Sequence, residues 1–101
     1  MKRKKTRIQF RVQVAEMLEE QMLRHEKNPN EPKGLCATQI TERMIDAGMQ
    51  HLLPQRNAMG GALSRIAGVR SIGEVRAGTL IIRKQKIWTI DMNRFNKWRR
   101  S

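Results

Sequence analysis

The chain has one cysteine, no tyrosine, four aromatic residues and nine acids among its 101 residues. A lone cysteine, Cys36, excludes an internal disulfide and fits a reducing compartment. His25 and His51 stand apart in the sequence, so no set of side chains has zinc-ligand spacing, and neither a metal nor another cofactor is expected. No run of 18 apolar residues occurs, and the basic start MKRKKTR leads into IQFRVQVAEM rather than into a continuous apolar core. A membrane span and a signal peptide are both unexpected on that ground, and the expected location is the cytoplasm, in association with the nucleoid. Catalysis also finds little footing. The acids cluster mainly in the first helical stretch, no G-x-x-x-x-G-K phosphate loop is present, and neither histidine sits beside a nucleophile motif. The chain is not expected to be an enzyme.

What is abundant is positive charge. Lys and Arg number 21 against nine acids, a net charge of +12, which is far more than solubility asks of a small domain and points to a polyanionic partner. Residues 47–101 hold eleven of the cations and two acids, Glu74 and Asp91, for a net of +9. At this length the chain forms one domain that buries about 60 to 65% of its unfolded surface, enough for one modest core.

Residues 1–7 form a basic arm with five cations and no core-forming residue. Within it Arg3, Lys4 and Lys5 are candidates for a phosphate tether or a minor-groove arm, and a solubilising tail is the plainer reading. Over residues 8–27, Phe10, Val14, Met17, Leu18 and Met22 recur at helical spacing and define one apolar stripe. Glu16, Glu19, Glu20 and Glu26 make this the acidic part of the molecule, which suits a scaffold or a dimer surface rather than a polyanion contact. NPNEPKG then turns the chain.

The stretch 35–66 reads as two short amphipathic helices around a glycine-marked turn. In the first, Ala37, Ile40, Met44 and Ala47 share a buried stripe, and Gly48 ends the helix. Its start is either capped by Cys36, with Gln39 three residues on and Ile40 closing a staple on Leu35, or set at Thr38, the better capping residue. Pro54 suits the first turn of the next helix, which places Gln55, Arg56 and Asn57 at its start. Arg matches guanine O6 and N7, and Asn or Gln matches adenine N6 and N7. Met59, Ala62, Leu63 and Ile66 point inward at i, i+3, i+4 and i+7, leaving Asn57, Gly60, Gly61 and Ser64 outward with Arg65 on the flank. Two adjacent glycines on a helix cost about 1 kcal/mol each relative to alanine. Such a cost is tolerable where the backbone must come close to something: a nucleic acid, or another part of the same protein.

After Gly68 the period becomes extended. Residues 69–75, 80–82 and 87–90 are rich in β-branched residues and read as a β-hairpin whose returning strand is KIWTI, with Trp88 and Ile90 packing on the helices. The connection RAGTLIIRKQK carries Arg76, Arg83, Lys84 and Lys86, well arranged to straddle a phosphate backbone. Leu80, Ile81 and Ile82 either extend the sheet or form an apolar patch for a protein partner. In residues 92–101, Phe95 and Trp98 at i and i+3 are expected to anchor a short helix on the core or on a second subunit, since two aromatics make a poor stacking platform for single strands.

Helix, helix, turn, helix and then hairpin resembles the winged helix-turn-helix superfamily of DNA-binding domains, over about residues 8–91. The resemblance implies an α+β fold of three helices followed by a β-hairpin wing and a short basic C-terminal segment. It also implies that the third helix enters the major groove while the wing contacts the backbone or minor groove. Carried over position by position, the recognition-helix candidates are Gln55, Arg56, Asn57, Ser64 and Arg65, with Gly60 and Gly61 on the same face. The wing candidates are Arg76, Thr79, Arg83, Lys84 and Lys86. Small basic domains of this kind look like phage, plasmid or prokaryotic transcription regulators, so the expectation is a sequence-specific double-stranded DNA-binding regulator acting at an operator or promoter. Homodimerisation through the first helix or the C-terminal segment stays open, because one recognition helix covers few base pairs. Two other readings stay open as well: a protein-interaction module acting through the hairpin or first helix, and sequence-neutral DNA or RNA binding.

Overall fold

The structure, a computed structural model, describes residues 2–55, 58–77 and 83–100, with side chains from Ile8 onward and that of Ala77 excepted. It is an α+β fold of four helices and one small antiparallel sheet. Helix α1 spans Lys2–Lys27, strand β1 Leu35–Cys36, α2 Ala37–Asp46, α3 Met59–Ser64, β2 Val69–Ala77, β3 Arg83–Ile90 and α4 Met92–Arg100, with a 3-10 turn at Gln50–Leu52. Two differences from the sequence reading appear at once. The helix expected over 8–27 begins at Lys2, so 2–7 continue α1 where an arm was expected; nothing in KRKKTR breaks a helix, and Lys and Arg are good helix formers. A short strand precedes α2. The segment after β3 is a helix with Phe95 buried, as the spacing of Phe95 and Trp98 suggested.

The core follows the apolar stripe of α1. Phe10, Val14, Ala15 and Leu18 are buried against Leu35, Ile40, Met44, Leu52, Met59, Leu63, Ile66, Trp88, Ile90 and Phe95, with Met17 and Met22 partly buried beside them. On this stripe Gln21 is also buried, a polar position that the apolar spacing did not mark. Its amide is satisfied: Nε2 donates to the Pro32 carbonyl at 2.7 Å, and Oε1 accepts from Arg43 Nη2 at 3.1 Å. One side chain thus ties the turn after α1 to α1 and α2, and its burial is tolerated because each end of the amide finds a partner.

Helix α2 starts where Cys36 caps it, with the Cys36 N–H donating to Gln39 Oε1 at 3.1 Å. Of the two starts considered, the earlier one is found. Thr38 lies one residue inside the helix, and its N–H donates to Gln85 Oε1 at 3.1 Å. The other end is a Schellman motif. Gly48 (φ +76°) donates to the Ile45 carbonyl and Met49 to the Met44 carbonyl, at 3.0 and 2.8 Å. Ala47 is exposed at this C-terminus rather than part of the buried stripe, because the stripe rotates off the core within the last turn.

Strand β3 lies between β1 and β2, and both pairings are antiparallel. Leu35 opposes Trp88 and Cys36 opposes Ile87 on one side of it, while Val69 opposes Ile90 on the other. Trp88 and Ile90 are buried, as their place in KIWTI suggested. Gly68 joins α3 to β2 with φ +84°, and a Cβ there would collide with the Asp91 carbonyl oxygen. Only glycine fits this turn, which also holds Asp91 N–H on the Gly68 carbonyl at 2.8 Å and so brings the start of α4 beside the start of the hairpin.

Candidate nucleic-acid interface

The hairpin of β2 and β3 carries its cations on paired strands, not in a connecting loop as the sequence suggested. Arg76 stands opposite Lys84, Glu74 opposite Lys86, and Ala77 opposite Arg83. Both strands are longer than the sequence suggested, Val69–Ala77 where 69–75 was expected and Arg83–Ile90 where 87–90 was. Residues 70–76 of β2 and the side chains of Arg83, Lys84 and Lys86 are exposed. A bulge at Ile72, between the Ser71 and Gly73 pairings, separates this distal half of the hairpin from the half that packs on the core. Lys86 Nζ lies 5.8 Å from the Trp88 ring centroid, a cation–π contact that steadies one cation at the edge of the core. Like charges directly opposite each other are unfavourable, so the Arg76 and Lys84 pair is not explained by hairpin stability. Thr79 and the apolar trio Leu80, Ile81 and Ile82 lie outside the described residues.

The distal half of the hairpin is tied to α2, at Gln85, by a contact that sequence reading missed. Besides accepting from Thr38 N–H, the Gln85 amide donates from Nε2 to Thr38 Oγ1 at 2.6 Å, across 47 residues of sequence. No periodicity marks such a pair.

Helix α3 is shorter than expected. It runs over Met59–Ser64 with Ala58 at its start, so Gln55 precedes it instead of opening it, and a bond of 2.8 Å from Ala58 N–H to the Gln55 carbonyl makes a turn there. The proline suggested a helix start too early: Pro54 opens a turn that leads into the helix. Gln55 is exposed at this turn; Arg56 and Asn57 lie outside the described residues. The inward face is as the spacing implied, with Met59, Leu63 and Ile66 buried. Gly60, Gly61, Ser64 and Arg65 are exposed. Among the described residues a Cβ on Gly60 or Gly61 would meet nothing within 4 Å, so close packing against them does not account for the tandem glycines. Ser64 Oγ donates to the Gly61 carbonyl at 2.9 Å, which leaves its lone pairs facing outward. The remaining arm candidates, Arg3, Lys4 and Lys5, lie on the first turn of α1, and their side chains are outside the described set.

Comparison of the chain with protein-family models, curated proteins and solved structures gives no match. The functional reading therefore rests on the chain itself. Among the described residues no helix is long and apolar enough to cross a membrane.

Proposed function

We propose that this protein is a double-stranded DNA-binding regulator of the winged helix-turn-helix type, in which α3 meets the bases and the hairpin grips the backbone. The observation that carries the reading is the hairpin: a distal half exposed on both strands, bearing Arg76, Arg83, Lys84 and Lys86 with Glu74 as its one acid among the described residues. Three helices followed by that hairpin is the order the family requires. Support from α3 comes from its open glycine face, where a duplex could approach the backbone without a side chain between them. The phosphate contacts would supply affinity and position, and Gln55, Arg56, Asn57, Ser64 and Arg65 would supply discrimination.

A second reading, sequence-neutral duplex binding, is favoured by one specific feature. The described part of α3 offers few long polar side chains, since glycines occupy two of its six positions. Selection from a random duplex pool at about 150 mM salt, where screening is physiological, separates the two. An enriched motif supports base reading, and inverted repeats within it support a two-fold dimer. Retention without enrichment supports neutral binding; no retention at all removes both. On the enriched site, Arg56→Ala should lower discrimination over random DNA by about 1–3 kcal/mol. An unchanged ratio would displace Arg56 from the reading face.

A further inference from the structure

Helix α4 and the part of α1 around Arg11 form a second basic surface, away from the hairpin tip. Helix α4 is docked by Phe95, which is buried, and by Trp98, whose ring is 5.4 Å from Phe95 and lies under the Arg11 guanidinium of α1 at 5.5 Å. Around this seam Arg94, Lys97, Arg99 and Arg100 are exposed. From Arg11 the same helix runs back through residues 2–7, whose sequence adds five more cations. Residues 2–11 and 92–100 together hold ten of the 21 Lys and Arg and no acid. The neighbouring acid, Asp91, is engaged as the cap of α4, accepting from the Asn93 and Arg94 N–H groups at 3.0 and 3.4 Å.

Two observations set this surface apart from an ordinary solvated face. Seven of the nine acids fall within residues 16–46, on the second half of α1, the turn after it and α2. Among the described residues the ion pair that forms is there too, Arg24 with Glu20 at 2.7 Å. The α4 cations form no ion pair among the described residues. In addition, cations in the first turn of α1 oppose the helix dipole, which favours negative charge at that end, so they do not serve helix stability.

We propose that α4, with Arg11 of α1 beside it, forms a second nucleic-acid contact, taking a stretch of phosphodiester backbone distinct from the one under the hairpin. The inference rests on the DNA-binding reading above. Ile90 lies six steps along β3 from Lys84, about 20 Å at the rise of an extended strand, and α4 begins at the Ile90 end. The phosphates it meets belong either to flanking positions of the same duplex or to a second duplex.

The test is the salt dependence of duplex binding by the full chain. Replacing Arg94, Lys97, Arg99 and Arg100 by Gln keeps Phe95 and Trp98 in place. If each cation neutralises one phosphate, the slope of log K against log salt should fall by about three to four units. The ratio of selected to random DNA should hold. Lys27→Gln with Lys33→Gln, in the acidic region, should leave the slope as it is. An unchanged slope in the fourfold variant, or an equal loss per charge in the Lys27 and Lys33 pair, overturns the proposal. Should the fourfold variant melt early, Lys97→Gln with Arg100→Gln should give about half the change. Two further arms locate the phosphates. Loss of capture of a labelled duplex by protein held on a bead-bound duplex supports a second duplex, and a footprint shortened at one end supports the same duplex. If the wild-type chain binds no duplex, the regulator reading fails with this one; if it binds and only the α4 variant is silent, this inference alone fails.

Discussion

Gly60 and Gly61 hold helical positions in α3 with open space where a side chain would go. Alanine at either one should raise stability by about 0.5–1 kcal/mol, because the chain gives up less freedom on folding and meets no obstacle. If α3 lies against a duplex, the same two methyl groups should weaken DNA binding while the melting temperature rises. Gly60→Ala and Gly61→Ala that bind as the wild type does would show that the glycine face is merely tolerated, and a thermal melt beside a binding curve reads both effects. Thr89 makes the opposite point about burial. Its Oγ1 is buried and has no hydrogen-bond partner among the described residues, so Thr89→Val should be neutral or stabilising by about 1 kcal/mol; a clear loss would mean that the hydroxyl has a partner after all. Neither position is one that sequence alone could grade. The glycine pair was visible, with two explanations for it, and among the described residues nothing packs where either side chain would go. Thr89 looked like any β-strand threonine between Trp88 and Ile90.

At the scale of elements, legibility followed the reach of the signal. The inward faces of α1 and α3 could be read from spacing because a helix buries every third or fourth residue, and Trp88 with Ile90 from alternation. Strand β1 could not. Two residues, Leu35 and Cys36, make no period, and they become a strand only because β3 is there to pair with them. Cys36 serves at once as the end of that strand and the cap of α2, a double role that flattened the boundary between the two elements. The hairpin was legible as a hairpin but not in register, since the bulge at Ile72 shifts every pair beyond it. Register carries a prediction. Arg76→Glu would place a carboxylate directly opposite Lys84, beside the existing Glu74 and Lys86 pair, and should stabilise the hairpin by a few tenths of a kcal/mol. It should also weaken duplex binding and lower the salt slope by about one unit, because a phosphate contact is lost. A variant that gained stability and bound as before would place the DNA surface away from the hairpin.

Over the whole molecule the charges are sorted by region: acids on the second half of α1 and on α2, cations at the hairpin and at the two chain ends. Composition revealed the excess of cations. It did not reveal that α1 and α4 meet, because contacts between segments so far apart in sequence, such as the Arg11 guanidinium over the Trp98 ring, leave no period to read. Such sorting has a measurable consequence. A charge excess spread evenly would give weak attraction to any polyanion, screened within about 8 Å at physiological salt. Cations gathered on defined surfaces instead release counterions in proportion to the phosphates they touch. With about eight phosphates neutralised, affinity for duplex DNA should fall by about four decades between 50 and 200 mM salt. A titration over that range reads the number directly. A fall of less than tenfold would mean that at most one or two phosphates are engaged, and the cations of the hairpin and of α4 would then face something other than a nucleic-acid backbone. A protein partner would become the stronger reading, and a complex that persisted at high salt in a pull-down would support it.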